Sequence, residues 1–177
     1  MRILHKTSFL GLVLAASIFI FDQLSKYWVV QVFWPTKNCN HLDYYESRHC
    51  FFEVMPFFDL RMVWNRGISY GLFQQDSDFG RYLLIGFTCC AIIGFLIWLM
   101  RVDRMLLALS LGLVIGGAAG NLVDRLVYQA VADFVSLHAF GFNWYIFNLA
   151  DMAIVVGAAG LGYELLVNDR KIAVNGS

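Results

Sequence analysis

Residues 82–100 read YLLIGFTCCAIIGFLIWLM, nineteen positions without a charged side chain. After a short turn that contains Arg101, Asp103 and Arg104, residues 105–123 read MLLALSLGLVIGGAAGNLV, again without a charge. The hydrocarbon core of a bilayer is about 30 Å thick, and roughly 20 apolar helical residues cross it. The two runs therefore predict two consecutive transmembrane helices joined by a turn in water.

Two further apolar segments flank this pair. Residues 7–32 are interrupted only by Asp22 and Lys26, and from residue 146 to 163 the only charged side chain is that of Asp151. We therefore predict one integral-membrane domain of residues 1–177. Its four transmembrane helices lie at about 7–32, 82–100, 105–127 and 146–166, and segments 33–81 and 128–145 lie outside the bilayer.

The composition supports a membrane protein. Hydrophobic residues make up 59% of the chain and charged residues only 15%, whereas a soluble domain carries about 25% charged residues. The formal net charge is zero, which argues against a nucleic-acid partner. Arg2 and Lys6 precede an apolar stretch as in a signal peptide, but no small-x-small cleavage site ends it. We expect a retained first helix.

Lysine and arginine near the helix ends predict the orientation, because cytoplasmic loops are enriched in both. An even number of spans puts both termini on one side, together with the turn after residue 100. That side carries Arg2, Lys6, Arg101, Arg104, Arg170 and Lys171, whereas residues 128–145 contain no lysine or arginine. We expect the termini in the cytoplasm and the two long connections outside.

The four cysteines do not indicate a metal site. Cys89 and Cys90 lie within the second predicted span, where we expect them to pack as small residues. Cys39 and Cys50 lie in the first outer segment, where a disulfide and two free thiols are equally expected. No CxxC, Cys–His spacing or HExxH pattern occurs. We expect no metal ion and no other cofactor.

Acidic residues within the spans are the best candidates for function, because an ionised side chain in hydrocarbon costs several kcal/mol. Asp22 lies four residues before Lys26, one helical turn away, and Asp124 is followed by Arg125. Each of these acids has a cation beside it, so a structural ion pair and a functional role remain equally open. Asp133 and Asp151 have no neighbouring cation and are the stronger candidates for chemistry.

A pair of carboxylates can hydrolyse an amide without a metal ion. When two carboxylates share a site of low dielectric constant, the pKa of one rises, and a neutral acid then lies beside a charged base. Asn121 and Asn148 each precede an aspartate, Asp124 and Asp151, by three residues, so we predict that each pair shares a helical face. The asparagines either position carboxylates and substrate or form hydrogen bonds between helices.

A serine-hydrolase pattern is also present. Residues 67–71 read GISYG and match the GxSxG nucleophile elbow, with Ser69 at its centre. That motif requires an α/β sheet and a histidine partner. The chain offers no such sheet, and His138 has no orienting acid near it in sequence. We therefore do not expect Ser69 to be a nucleophile.

Five segments, in this order along the chain, resemble the bacterial lipoprotein signal peptidases, also called signal peptidase II. Residues 22–26 read DQLSK, residues 65–71 read NRGISYG, and residues 120–125 read GNLVDR. Residues 131–134 read VADF, where the family has valine in place of Ala132, and residues 147–151 read FNLAD. The segment 34–58 looks longer than usual for the family, so we expect an extended outer region.

The resemblance implies an intramembrane aspartic endopeptidase that cleaves prolipoproteins on the N-terminal side of a diacylglyceryl-modified cysteine. Asp133 and Asp151 match the family's catalytic aspartates, and Asp124 is the rival for the first role. The remaining family motifs imply substrate-binding or positioning residues: Asp22, Lys26, Asn65, Gly67, Asn121, Asp124, Arg125, Asn148 and Ala150.

The resemblance also implies a fold and partners. The fold is a membrane all-α protein with a small β element: four transmembrane helices, a periplasmic β-cradle after the first, and a short periplasmic helix between the third and fourth. The expected location is the bacterial inner membrane, with the active site toward the periplasm. The expected partners are diacylglyceryl-modified prolipoproteins, membrane lipid and inhibitors of the globomycin type, and no nucleic acid.

Two other classes of protein also bury carboxylates or span the membrane four times. A proton-coupled transporter is less favoured, because the sequence lacks repeat symmetry. A structural assembly factor would need no pair of carboxylates. Aromatic residues of the first outer segment are predicted to hold a hairpin at the membrane interface beside the site, namely Trp34, Tyr44, Tyr45, Phe51, Phe52, Phe57, Phe58 and Trp64.

Overall fold

The computed structural model describes residues 6–34, 51–67 and 78–175. Cys39, Cys50, Ser69, Tyr44 and Tyr45 lie outside the described residues, as does most of the GxSxG motif, so the structure does not test whether Cys39 and Cys50 form a disulfide. The described residues form four α-helices: α1 Lys6–Tyr27, α2 Asp78–Leu99, α3 Met105–Val127 and α4 Leu149–Asn175.

Four helical segments of the described residues are long and apolar enough to cross a membrane, and this confirms the predicted number of spans. The segments are Lys6–Phe33, Phe79–Leu99, Met105–Val127 and Leu149–Val167. The fourth begins three residues later than the predicted start at 146, because Asn148 caps the helix.

Helix α3 lies at the centre of the bundle and contacts α1, α2 and α4. Its contacts with α1 and α2 bury Ala15, Leu99, Leu111 and Ile115 in one cluster. The small residues of 116–120 allow neighbouring helices to approach α3 closely. A Cβ on Gly117, for example, would lie 2.5 Å from the carbonyl oxygen of Ala150 in α4.

The last turns of α1 widen into a π-helical segment, Trp28–Phe33, which ends at Trp34. Val29 and Trp34 are buried there against side chains of the sheet. Because α1 continues directly into this contact, its polar residues Asp22 and Lys26 are held at a fixed height below the sheet.

The small antiparallel sheet has four strands in the order β1 (Phe51–Met55), β2 (Phe58–Asn65), β3 (Val131–Ala139) and β4 (Phe142–Asn143). In the pairing of β2 with β3, Val63 lies opposite Asp133 and Asn65 lies opposite Val131. Asn65 and Asp133 are thus diagonal neighbours, close enough for their side chains to meet.

The expectation of a short helix between the third and fourth spans is wrong, because residues 131–143 form β3, a turn and β4 instead. The first four residues of Val131–Ala139 are all buried, and the segment includes two valines, which favour strands. Phe140 and Gly141 connect β3 to β4 with φ angles of 53° and 78°. Two consecutive residues with positive φ form the tight turn that antiparallel strands require.

Candidate active site

The polar residues singled out in the sequence come together where the helices meet the sheet. Helix α1 contributes Asp22 and Lys26, and α3 contributes Asn121, Asp124 and Arg125. The sheet contributes Asn65 at the end of β2 and Asp133 on β3, and the start of α4 contributes Asn148 and Asp151. Five separate elements therefore build one cluster.

Lys26 lies at the base of the cluster between two carboxylates. Its Nζ is 2.8 Å from Asp22 Oδ2 and 2.8 Å from Asp124 Oδ2, and all three side chains are almost completely buried. The predicted pairing of Asp22 with Lys26 is confirmed. Asp124, however, forms its ion pair with Lys26 of α1 and not with the neighbouring Arg125. Adjacent residues on a helix point about 100° apart, so Asp124 and Arg125 do not face each other.

The same two carboxylates also hold the backbone next to the two candidate catalytic residues. Asp22 Oδ1 accepts a hydrogen bond from the amide of Ala150 at 3.0 Å, immediately before Asp151. Asp124 Oδ2 accepts one from the amide of Ala132 at 3.1 Å, immediately before Asp133. The buried ion cluster thus fixes the positions from which both side chains project.

Gly120 makes room for this arrangement. A Cβ at Gly120 would overlap Asp22 Oδ2, so any side chain there would displace the carboxylate.

Asp133 receives an amide donor on each oxygen. Asn148 Nδ2 donates to Asp133 Oδ1 at 2.6 Å, and Asn65 Nδ2 donates to Asp133 Oδ2 at 3.0 Å. The Asp133 side chain is only 1% exposed. A buried carboxylate with both oxygens bonded is held in a single orientation.

Asp151 belongs to a capping box at the start of α4. Asn148 Oδ1 accepts from the amide of Asp151 at 2.9 Å, and Asp151 Oδ2 accepts from the amide of Asn148 at 3.4 Å. This reciprocal pair is a known N-terminal helix motif. The expectation that Asn148 and Asp151 share a helical face is therefore wrong, since Asn148 precedes the helix. Asp151 lies within its first turn, nearer the helix end than predicted.

Asn121 links the ion cluster to Asp151. Its Oδ1 accepts from Lys26 Nζ at 2.9 Å, and its Nδ2 donates to Asp151 Oδ1 at 2.8 Å. Lysine can only donate, so the Asn121 oxygen must face Lys26 and the amide nitrogen must face Asp151.

The other two amides are oriented by the same logic. Asn65 Oδ1 accepts from the backbone amide of Gly67 at 3.0 Å, and Asn148 Oδ1 accepts from the amide of Asp151. A backbone amide only donates. All three asparagines therefore direct their Nδ2 groups toward Asp133 or Asp151.

Burial and the nearby Asp151 carboxylate raise the pKa of Asp133 from 3.8 to about 7, while the Asn65 and Asn148 amides act in the opposite direction. Asp133 therefore accepts a proton near neutral pH. Asp151, in the first turn of α4, is the neighbouring carboxyl group. The cluster can thus hold one neutral and one ionised carboxyl group, the requirement for acid–base hydrolysis.

Arg125 and Gly67 close one side of the cluster. Arg125 donates to the carbonyl oxygens of Asn121 at 3.3 Å and Gly67 at 3.5 Å. Arg125 is also within electrostatic range of Asp124, Asp133 and Asp151. The guanidinium therefore offsets part of the negative charge and ties the segment after β2 to α3.

The structure differs from the expectation for His138. His138 does have an acidic partner, since its Nε2 lies 3.1 Å from Asp59 Oδ2. This pair lies at the start of β2, far from Asn65 and Gly67 at its end. Within residues 6–34, 51–67 and 78–175, no group of three His, Cys, Asp or Glu residues is arranged to hold a metal ion.

Gln23 is a member of the cluster that the sequence analysis did not assign. Its Nε2 donates to Asp22 Oδ2 at 3.3 Å, the Gly120 carbonyl at 3.2 Å and Asp124 Oδ1 at 3.2 Å. A polar side chain next to Asp22 in an apolar span was the available signal. Tyr145, whose hydroxyl lies 3.4 Å from Asn65 Nδ2, had no comparable signal.

Comparisons with known proteins bear on this arrangement. Residues 14–167 match the family described as signal peptidase (SPase) II. A protein of Rhodopseudomonas palustris named lipoprotein signal peptidase is 42% identical over 162 residues, which cover 89% of this chain and 92% of that protein. A protein of Methylorubrum extorquens with the same name is 53% identical over 109 residues, or 62% of this chain and 64% of that protein.

The fold also has a counterpart among solved structures. A bacterial membrane enzyme structure superimposes with a TM-score of 0.73, at 23% sequence identity and over 90% of this chain and 88% of that chain. At this identity the likeness supports the fold only.

Proposed function

The chain belongs to the signal peptidase II family, whose members are membrane proteases that remove signal peptides from prolipoproteins, and we propose that Asp133 and Asp151 carry out the hydrolysis. The observation that carries the proposal is that Asn148 contacts both residues while each carboxylate receives further amide donors. The charge of Asp151 also raises the pKa of Asp133, and two carboxylates that interact in this way favour a state in which only one of them is ionised.

In this proposal Asp133 is the acid and Asp151 is the base. Asp151 takes a proton from a water molecule whose oxygen attacks the carbonyl carbon, and Asp133 gives its proton to the carbonyl oxygen. The resulting diol collapses when Asp151 passes the proton to the leaving nitrogen. The C–N bond then breaks, and Asp133 recovers a proton from the diol. Both carboxyl groups return to their starting state.

The remaining residues act by position. We assign a positioning role to the ion cluster of Asp22, Lys26 and Asp124, because its carboxylates hold the backbone amides of Ala150 and Ala132. This role disfavours Asp124 as an alternative catalytic residue. All the described bonds of its carboxylate go to Lys26, Gln23 and Ala132. We assign Asn65, Gly67 and Arg125 to the binding of the substrate backbone, since they border Asp133 on the side away from the ion cluster.

For the substrate, we propose a prolipoprotein whose diacylglyceryl-modified cysteine follows the scissile bond. The candidate site lies at the helix–sheet boundary, where a peptide can meet water while its lipid stays in the bilayer. This requires both termini in the cytoplasm and the sheet in the periplasm of a bacterial inner membrane. Globomycin-type inhibitors would then compete for the same boundary site.

The orientation can be tested separately. In a variant without native cysteines, a membrane-impermeant thiol reagent should label Ser77→Cys from the periplasm and leave Asp103→Cys unlabelled in intact cells. The reverse pattern would put the site on the wrong side for a lipoprotein precursor.

The central experiment measures cleavage of a lipidated prolipoprotein by the purified protein. Asp133→Asn and Asp151→Asn should each lose at least a thousandfold in kcat, and a chelator should leave the parent active. Cys89→Ser, which lies far from the site, is the matched control and should retain full activity. Substantial cleavage by both aspartate variants, or a loss with chelator that added metal restores, would overturn the assignment.

A further inference from the structure

Gln23 donates side-chain hydrogen bonds to both carboxylates of the ion cluster. Its Nε2 lies 3.2 Å from Asp124 Oδ1, 3.2 Å from the Gly120 carbonyl oxygen and 3.3 Å from Asp22 Oδ2. All three partners are acceptors, so the amide nitrogen of Gln23 and not its amide oxygen must face them. Gln23 therefore ties α1 to a single turn of α3.

Asp22 does not depend on this donor. Its Oδ1 accepts from the Ala150 amide at 3.0 Å, and its Oδ2 lies 2.8 Å from Lys26 Nζ. Gln23 is the more distant of the two donors to Oδ2. Without Gln23, both oxygens of Asp22 would still be bonded, and the Ala150 amide would stay in place.

Asp124 depends on Gln23 for one of its oxygens. Lys26 Nζ and the Ala132 amide both bond Asp124 Oδ2, and Gln23 is the only described residue that donates to Oδ1. Asp124 is completely buried, so loss of Gln23 would leave a buried carboxylate oxygen without a donor, which is costly. An aspartate carboxylate turns easily about its last side-chain torsion. Rotation toward the remaining donors would then take Oδ2 away from the Ala132 amide.

We propose that Gln23 is a positioning residue for Asp133, because it holds the Asp124 carboxylate in the rotation that binds the Ala132 amide. The inference rests on the proposed role of Asp133 as the catalytic acid. Gln23 then acts on one residue of the catalytic pair, whereas Lys26 bonds both carboxylates of the cluster and acts on both.

A shift of Ala132 would disturb Asp133 directly. Asn148 Nδ2 contacts the Ala132 carbonyl oxygen at 3.3 Å and Asp133 Oδ1 at 2.6 Å. Burial is the largest cause of the raised pKa of Asp133, so a displaced and better hydrated side chain would have a lower pKa. The charged groups that face Asp133 from the helices are unchanged in a Gln23 variant: Asp151 of α4, Lys26 of α1 and Arg125 of α3.

The test compares Gln23→Met with Gln31→Met in the full chain. Both variants lose the same amide, and Gln31 is exposed on the segment that continues α1. Gln23 is half-buried in a membrane span, where methionine is compatible with the fold. Amide hydrogen exchange is followed by NMR on protein with isotope-labelled alanine in detergent micelles. In Gln23→Met the Ala132 amide should exchange roughly tenfold faster, and the Ala150 amide should exchange as in the parent.

Cleavage kinetics supply a readout that a general loss of stability would not move. The kcat of Gln23→Met should fall about a hundredfold, as for a small misplacement of a catalytic group. KM should stay that of the parent, because the residues assigned to substrate binding are intact. The alkaline limb of the pH profile should move to lower pH. Gln23→Leu lacks the same donor but has a different shape, and it should reproduce each result, whereas Gln31→Met should match the parent.

Several results would overturn the proposal. Equal acceleration of exchange at Ala132 and Ala150, or none at either, would remove the selective link to Asp133. A lower Tm and kcat without faster exchange at Ala132, or a difference between Gln23→Met and Gln23→Leu, would show that Gln23 only packs the helices.

Failure of the proposed function would look different. Selective exchange at Ala132, together with the kcat and pH profile of the parent, would uphold the contact of Gln23 with Asp124 and count against Asp133 as the catalytic acid.

Discussion

Asn148 Nδ2 lies 2.6 Å from Asp133 Oδ1, although Asn148 is also the residue that caps the helix carrying Asp151. One side chain therefore fixes the position of both candidate catalytic residues, one on a strand and one on a helix. Its side-chain oxygen caps the helix and its side-chain nitrogen donates to Asp133 on the strand. The two roles can therefore be separated by substitution.

Replacement of Asn148 by serine should separate capping from positioning. Serine caps a helix about as well as asparagine, so Asn148→Ser should lower the free energy of unfolding by less than about 1 kcal/mol. It lacks the amide nitrogen, and the loss of one donor in an active site costs roughly 10²–10³ in kcat. Thermal denaturation and cleavage kinetics check the two parts. Loss of stability with normal kcat would show that Asn148 only caps.

The pH dependence of cleavage should report the raised pKa of Asp133. Its proton is present below about pH 7 and lost above, so kcat/KM should fall tenfold per pH unit on the alkaline side. The Asn65 amide lowers this pKa, so Asn65→Leu should move the alkaline limb upward. An alkaline limb that stays in place in Asn65→Leu would assign the limb to another group.

Stability should depend on pH for the same reason. The folded pKa lies above the ordinary value of 3.8, so the folded protein binds this proton more tightly than the unfolded chain. The contribution is fully present below about pH 4 and is lost as pH rises through about 7. The Tm of the parent should therefore fall more between pH 4 and 7 than that of Asp133→Asn. Equal slopes would contradict the shift.

Lys26→Met should damage both stability and activity, because it leaves two buried carboxylates without a cation. Removal of one partner from a buried pair costs about 3–5 kcal/mol in soluble proteins. The double change Lys26→Met with Asp22→Asn should recover part of the Tm but not the cleavage rate, since Asn121 still lacks its donor. Glu164→Gln, which breaks a partly exposed pair with Arg104, is the control and should cost under about 1 kcal/mol. An inactive Lys26→Met as stable as the parent would instead give Lys26 a chemical role.

Gly120→Ala should displace Asp22, because the added Cβ overlaps the carboxylate oxygen. Overpacking of this kind costs about 1–3 kcal/mol, and the loss of the Asp22 contact with Ala150 should reduce kcat as well. Gly94→Ala is the matched control, since no heavy atom lies within 4 Å of a Cβ built there. The two substitutions are chemically identical, so equal effects on Tm and kcat would refute a steric role for Gly120.

The sequence alone determined the four spans, because the hydropathy of a stretch of about 20 residues decides whether it enters the bilayer. It also drew attention to Asp133 and Asp151, since a carboxyl group at the edge of a span without a neighbouring cation requires an explanation. The pairing of Asp22 with Lys26 could be predicted from the local sequence, because residues four apart on a helix are neighbours in any tertiary structure.

Only the tertiary structure decided which partners meet across elements. Lys26 reaches Asp124, 98 positions away, because the glycines of α3 bring two helices together. Residues 131–139 form a strand where a helix was expected, because they complete a sheet begun by β2. Asn148 lies outside α4 because its oxygen caps the helix and its nitrogen bonds Asp133. Hydrogen bonds and ion pairs act over about 3 Å, so they depend on where distant segments come to lie, which no local pattern encodes.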